Sequence, residues 1–588
     1  MNVAAISHRS AFTDCYPLDE NRLVINLHTG KDIQSVLLIH ADPYAGGATG
    51  FMAWDGKPEP MTVSRELEHS LIWSVTLEPR FKREQYYFSL CDGADTLLLF
   101  EDGVYSREEA DKPGRLRQYF KFPWLNPADV ITPPAWVNDT VWYQIMPDRF
   151  CRGNASPKRF GLRSWEDHRR IRPWDMYGGD LRGIISRLEY IRDLGINGIY
   201  MLPIFLSNSN HKYNTFDYDA IDPDFGTEED MLELVEKAHS MGIRVMVDAV
   251  FNHSGTEFAP WKDVLKKGPE SDYWDWFFVG KWPQPLLPGS TEDGRYMSFA
   301  FASYMPKLNT NNPEVIGYFL NRCKNWVQRW NIDGIRFDVG NEVSHKFLKE
   351  LNRGLKEIKP DLFLLGEIWH DSIQWLQGDE YDSVMNMPIL ETLHNFWLDG
   401  GDARQLMYSL NRCYAMYPEQ VNRVLFNYID NHDTMRAITR CGSKDSFFQQ
   451  LTMLMTLPGS ACIYYGTEIG LEGGNDPDCR RPMPWDKIEA GKFDRTIAQV
   501  RELIALRRSH PAARRGSLCW ELDEKNPRLV CYRRCAEGEA LRVYINTGEQ
   551  PVKMTGTGKP AFARKLRGRT LMPGGVAVYL QEKDTSSR

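Results

Sequence analysis

Three acidic side chains stand at the ends of apolar, strand-like runs. Gly334-Ile-Arg-Phe-Asp-Val339 places Arg336 and Asp338 two positions apart, and so on one face of a strand. A carboxylate with its own cation beside it is arranged to stay ionised and aimed. Phe363 to Trp369 repeats the form and reaches Glu367, and a third run, Asn427 to Asp433, ends in Asp430-Asn-His-Asp433. Any one of these acids alone reads as a helix cap or a solvated loop acid. Three in series, one beside an arginine and one beside a histidine, read as acid–base chemistry. Two carboxyl groups roughly 5 Å apart across a bond could cleave a glycoside with retention, one as nucleophile and the other as acid/base. Glu367, between an apolar strand and Ile368-Trp369, is expected to be desolvated and raised toward the protonated form that a general acid needs. Spacing alone does not say which acid has which role.

The elements that would position these acids alternate. Strand-like runs occur at Val141 to Ile145, Gly198 to Leu202, Arg244 to Val250, Gly334 to Val339, Phe363 to Ile368, Ser383 to Met387, Val424 to Ile429 and Ala461 to Tyr465. Helical patterns separate them: Leu181 to Leu194, Glu228 to Met241, Pro313 to Trp330, Glu342 to Ile358, Ile389 to Leu398 with Ala403 to Tyr417, and Lys444 to Leu457, with Thr496 to Arg508 after the last strand. Eight alternations predict a (β/α)8 barrel, whose site forms at the C-terminal ends of the strands. Strands four, five and seven would then bring Asp338, Glu367 and Asp433 to one rim. An open doubly wound sheet is the alternative, but no GxGxxG follows a first strand. The interval Ser254 to Asn311 is too long for an ordinary loop and predicts a small inserted domain, 254–311, over the barrel mouth. Short alternating runs before Pro123 predict an N-terminal β-sandwich, 1–122. The proline-rich Pro123 to Trp136 reads as a linker into a barrel of 123–510. Short strands return from Pro511, predicting a C-terminal β-sandwich, 511–588.

Composition narrows the partner. The 588 residues carry a net charge of -8, and no basic run suggests a nucleic-acid or membrane footprint. Aromatic residues make up 12%, a composition suited to stacking on sugar rings as well as to core. The 11 cysteines show neither a CxxC pair nor zinc-ligand spacing, which favours free thiols. Met1 to Arg9 has no apolar core of signal-peptide length, and no run of about 18 apolar residues occurs, so a cytoplasmic protein is expected.

At four places the sequence resembles the α-amylase-type glycoside hydrolases of family 13, and among them the cyclomaltodextrinase, neopullulanase and maltogenic amylase branch. Asp248-Ala-Val-Phe-Asn-His253, Gly334-Ile-Arg-Phe-Asp-Val339, Gly366-Glu-Ile-Trp-His370 and Asn431-His-Asp433 are similar to the family's four ordered motifs. Met305-Pro-Lys-Leu-Asn309 resembles the branch marker, Ile6-Ser-His-Arg9 the branch's N-terminal domain, and Asp476-Pro-Asp-Cys-Arg-Arg-Pro-Met-Pro-Trp485 its loop after strand eight.

The resemblance implies Asp338 as nucleophile, Glu367 as acid/base and Asp433 as the acid that binds hydroxyls of the distorted sugar. It implies sugar binding by His253 and His432, ring stacking by Tyr213, an acceptor-side platform at Trp369, and a neighbouring subsite at Asp476 and Arg480. Arg336 would hold the nucleophile charged. The implied activity is retaining hydrolysis of α-1,4-glucosidic bonds in cyclodextrins, pullulan, starch fragments and maltooligosaccharides, with transglycosylation competing. A glucan-branching or glucosyl-transfer enzyme of the same fold is the alternative, and a non-catalytic amylase-like scaffold would need a broken triad. The branch also implies a homodimer whose N-terminal domain covers the partner's barrel mouth.

The sequence departs from the branch in places. Where the branch has an Asn-Gly-Asp calcium loop, this chain has Phe150-Cys-Arg-Gly-Asn-Ala-Ser-Pro-Lys158. Because hard cations need several oxygen ligands, no metal or other cofactor is expected, and a basic side chain would sit beside Asp180. Asn214 stands for the usual Asp of the tyrosine loop, and Met146 for the usual Phe of the first strand.

Overall fold

The computed structural model describes every residue except 46–53, 55, 116, 154–157, 159, 160, 168, 283–288, 555–557 and 583–588. Two compact units emerge. One comprises Met1–Thr132 with Gly401–Asn422, and the other comprises Pro133–Gly400 with the chain from Arg423 onward.

In the second unit, eight parallel strands follow one another around a ring. They are β1 Val141–Ile145, β2 Gly198–Met201, β3 Arg244–Val250, β4 Gly334–Asp338, β5 Phe363–Gly366, β6 Ser383–Val384, β7 Phe426–Asn427 and β8 Ser460–Tyr464. Their order is β6-β5-β4-β3-β2-β1-β8-β7, and a parallel bridge between Met385 and Phe426 joins the two ends. This is the expected (β/α)8 barrel. All residues of β1, β2, β4 and β5 are buried, as strands covered on both faces require. The helix Pro313–Trp330 illustrates the outer ring. Pro313 occupies its first turn, Asn312 caps it, Asn331 ends it in a left-handed conformation, and Val315, Phe319, Cys323, Trp326 and Trp330 line its buried side.

The excursion after β3 folds around Trp261, whose ring lies 4.8 Å from both Phe277 and Tyr296. An antiparallel bridge between His253 and Lys307 closes its base.

A six-stranded antiparallel sheet completes this unit, with Thr570–Glu582 pairing three neighbouring strands. It is anchored to the barrel by polar contacts. Gln449 Nε2 donates to the Asn546 carbonyl at 2.7 Å, Thr456 Oγ1 meets Tyr532 OH at 2.6 Å, and the buried Arg534 reaches the Thr456 carbonyl.

The first unit is a sandwich of two antiparallel sheets. Leu23, Ile25 and Leu27 of one and Val36, Leu38, Phe88 and Leu90 of the other share its core. The sequence pattern placed Ala403–Ala415 among the barrel helices, but it packs in this unit. Tyr408 OH donates to Glu66 at 3.2 Å, and Gln420 Nε2 donates to the carbonyls of Pro17 and Leu18 at 2.6 and 2.9 Å. Helical periodicity reveals an apolar face without naming what covers it. None of the 11 cysteines is in a disulfide, and among the described residues no helix is long and apolar enough to cross a membrane.

Candidate active site

Strand register assembles the centre. Arg336 on β4 lies opposite Asp248 on β3, although 88 positions separate them in sequence. Its fully buried guanidinium donates through Nη1 to both Asp248 oxygens and to Asp338 Oδ1, each at 3.0 Å. Nη2 lies 2.8 Å from Glu367 Oε2, at an angle that forms no directed hydrogen bond. One cation therefore serves three carboxylates. Asp248 is the hub of the floor, since Tyr200 OH and Tyr213 OH also donate to its Oδ2, at 2.6 and 2.9 Å. Burial pushes Asp248 up to about 6 against the pull of Arg336.

Glu367 begins where β5 ends. Its Oε2 accepts from the Val339 amide at 2.9 Å and its Oε1 from the Trp369 indole at 3.1 Å. Val339 itself adopts φ 46° and ψ 46°, a left-handed conformation rare for a β-branched residue. Among the described residues, Asp338 accepts one hydrogen bond, from Arg336. Burial, then the neighbouring Glu367 carboxylate, push Asp338 well above the usual carboxylate range, and Arg336 only partly offsets them. The expectation was that Arg336 would hold Asp338 ionised and that apolar neighbours would raise Glu367. In the structure burial and the neighbouring carboxylate push Asp338 upward against Arg336, whose charge is divided among three carboxylates.

The remaining predicted residues close around this core. Arg480 Nη2 donates to Asp433 at 3.1 Å, and its Nε pairs with Asp476 at 2.9 Å. His432 receives the Gln144 amide at Nδ1 (2.9 Å), so its Nε2 carries the proton and faces Tyr213 OH at 2.7 Å and Asp433 Oδ2 at 3.1 Å. Burial and the nearby Arg480 and Arg336 hold His432 far below the ordinary histidine range, and so neutral. Tyr213 sits in a loop held by the buried Lys212–Asp222 pair at 2.8 Å, with its ring parallel to His432. His253 Nε2 reaches the Tyr213 carbonyl at 3.1 Å. Trp369 is half exposed. All ten residues singled out in the sequence thus join one connected network.

Sequence reasoning gave no role to Asp248, Tyr200 or Gln144. A lone acid inside the apolar run Arg244–Val250 was the available signal for Asp248, because a buried charge needs a partner.

The surroundings of Asp180 do not fit a hard divalent cation. Lys158 Nζ donates to Asp180 Oδ2 at 3.0 Å and to the Asp224 carbonyl at 2.6 Å, while the amides of Gly153 and Gly183 take Oδ1 at 2.8 Å. These are donors, where calcium needs several oxygen ligands. Of the loop singled out in the sequence, Asn154 to Pro157 lie outside the described residues. Among the described residues no cluster of three or more metal-ligating side chains occurs.

Comparison with known proteins agrees with this geometry. Residues 144–498 match the alpha amylase catalytic domain, and residues 1–126 the alpha amylase N-terminal ig-like domain. A cyclomaltodextrinase of Geobacillus thermopakistaniensis is 40% identical over 557 residues, covering 94% of this chain and 92% of its own length. Neopullulanase 2 of Thermoactinomyces vulgaris is 37% identical over 562 residues, covering 93% and 91%. A solved cyclomaltodextrinase structure superposes with a TM-score of 0.88 at 34% identity, over 99% of this chain and 98% of that one.

Proposed function

The chain belongs to the α-amylase family of glycoside hydrolases, and from that premise we propose that it hydrolyses α-1,4-glucosidic bonds, with retention, in cyclodextrins, pullulan, starch fragments and maltooligosaccharides. The observation that carries this reading is the single guanidinium of Arg336 in contact with both Asp338 and Glu367. A retaining hydrolase needs two carboxyl groups close together, one ionised and one protonated.

Catalysis requires Asp338 ionised and Glu367 protonated when substrate is in place. The Asp338 carboxylate then attacks the anomeric carbon while Glu367 gives its proton to the glycosidic oxygen. The leaving sugar departs, and a glycosyl ester remains on Asp338. Glu367, now ionised, takes a proton from water, whose oxygen displaces the ester. A sugar hydroxyl in place of water gives transglycosylation.

Asp433, His253 and His432 bind hydroxyls of the distorted sugar, and Tyr213 stacks on it. Trp369 supplies the acceptor platform, and Asp476 with Arg480 holds the next sugar. Lys158 does structural work beside Asp180 that needs no metal. The same reading includes a homodimer, and a cytoplasmic location supported by 11 cysteines none of which is in a disulfide.

Product analysis on β-cyclodextrin, pullulan and soluble starch in parallel tests the substrate range. Panose from pullulan marks neopullulanase behaviour, and preference for the ring marks a cyclomaltodextrinase. Asp338→Asn should abolish turnover with the fold intact, and unchanged activity would remove the nucleophile assignment. Light scattering showing only monomer would remove the dimer.

A further inference from the structure

Lys307 lies in the inserted domain, at the bridge that pairs it with His253. Its ammonium contacts Asn252 Oδ1, and it also donates to the Glu342 carbonyl at 3.2 Å and to Glu342 Oε2 at 3.1 Å. On the other side of the same buried amide, Asn252 Nδ2 faces His253 Nδ1 at 3.2 Å. His253 Nε2 in turn faces the Tyr213 carbonyl oxygen at 3.1 Å.

The donor and acceptor complement leaves one consistent assignment. An ammonium only donates, so it takes the carbonyl oxygen of the Asn252 amide and turns the NH2 toward the imidazole. The NH2 only donates as well, so Nδ1 must accept. The ring proton then sits on Nε2, aimed at the Tyr213 carbonyl. If the amide flipped, Oδ1 would call for a proton on Nδ1, and the Nε2 lone pair would face a carbonyl oxygen. Protonating the ring offers no escape, since burial pushes His253 down to about 3. Phe299 lies parallel to the imidazole at 5.0 Å and restricts its rotation.

We propose that Lys307 is a positioning residue: through the Asn252 amide it fixes His253 in the tautomer that presents Nε2–H. The kinetic consequence rests on the proposed binding of a sugar hydroxyl by His253, whose Nε2–H would then be shared between that hydroxyl and the Tyr213 carbonyl, whereas the tautomer itself does not rest on it.

The test uses the full-length protein with 15N-labelled histidine, the His253 signals being assigned by their loss in His253→Gln. Wild type should show the Nε2–H pattern. Lys307→Met should lose it, and kcat/KM on maltotriose should fall about tenfold, the size of one lost hydrogen bond to substrate. Lys307→Arg, again a pure donor, should restore both. Asn252→Asp keeps a partner for Lys307 but offers the ring only acceptors, so it should move the proton to Nδ1 and lower kcat/KM similarly. This variant keeps the question open to test if Lys307→Met does not fold. An unchanged Nε2–H pattern in Lys307→Met or in Asn252→Asp overturns the proposal. A moved proton with kcat/KM within twofold supports the relay and instead overturns sugar binding by His253.

Discussion

Replacing Glu367 with Gln should move the ionisation of Asp338 to lower pH, and the expected move follows from the charges around the pair. The neighbouring Glu367 carboxylate is, after burial, the largest cause of the upward push on Asp338. Gln keeps the shape and removes the charge. At the roughly 5 Å separation of a retaining pair and an effective dielectric constant of about 20, the repulsion is about 3 kcal/mol. That corresponds to about two pH units. Arg336, relieved of one partner, acts in the same direction. The assay is the pre-steady-state burst of fluoride release from α-maltosyl fluoride, whose leaving group needs no general acid. The burst rate therefore reads only whether Asp338 is ionised when it attacks. In wild type the rate should rise with pH through a limb above the ordinary carboxylate range, and in Glu367→Gln the same limb should lie about two pH units lower. A limb at the same pH in both proteins would refute the reasoning, because it would show that the Glu367 charge does not oppose the ionisation of Asp338.

Asp248→Asn leaves Arg336 with two carboxylates and weakens the hold on Tyr213, so kcat/KM should fall about a hundredfold and the melting temperature should drop; breaking a buried pair costs about 3 kcal/mol, and steady-state kinetics with calorimetry reads both. A chelator should leave the wild-type melting temperature unchanged, whereas Lys158→Met should lower it by several degrees and Lys158→Asp should make it rise on adding calcium. His8 is held neutral by burial, pushed down to about 4 against about 6.5 in the unfolded chain. As pH falls, the unfolded chain takes up that proton first, so stability is lost between about pH 6.5 and 4 and amounts to about 2 kcal/mol between pH 7 and 5. His8→Gln should flatten the dependence of the melting temperature in that window.

The sequence makes the barrel legible because its strands are apolar runs interrupted by charges at their ends, and a period of two places Arg336 and Asp338 on one face without further information. The runs at Ser383 to Met387 and Val424 to Ile429 overstate their strands, which each pair over two residues. Beyond them a side-chain bond from Asn386 Nδ2 to Asn427 Oδ1 at 2.8 Å continues the connection, and hydropathy carries no trace of such a bond. Lys158 beside Asp180 was legible because a cation stood where oxygen ligands were needed. The place of Asp248 was not, because it depends on the register of β3 against β4.

The surroundings of the carboxylate pair show how little of a buried acid's environment lies in its sequence neighbours. Apolar neighbours in sequence suggested that Glu367 would lose its solvation most, yet desolvation is only one of the forces on a buried acid, and hydrogen-bond donors oppose it. The donors at Glu367 are the amide of Val339 and the indole of Trp369, with the Arg336 cation in ion-pair contact, and only the tryptophan is near Glu367 in the chain. The Val339 amide belongs to the residue directly after Asp338, which takes a left-handed conformation there. That residue follows the end of β4, which leaves Asp338 at the rim, and its own N–H goes to the other acid. The groups that hold Glu367 therefore come from the end of β4 as well as from its own strand, and only the packing of β4 beside β5 reveals them.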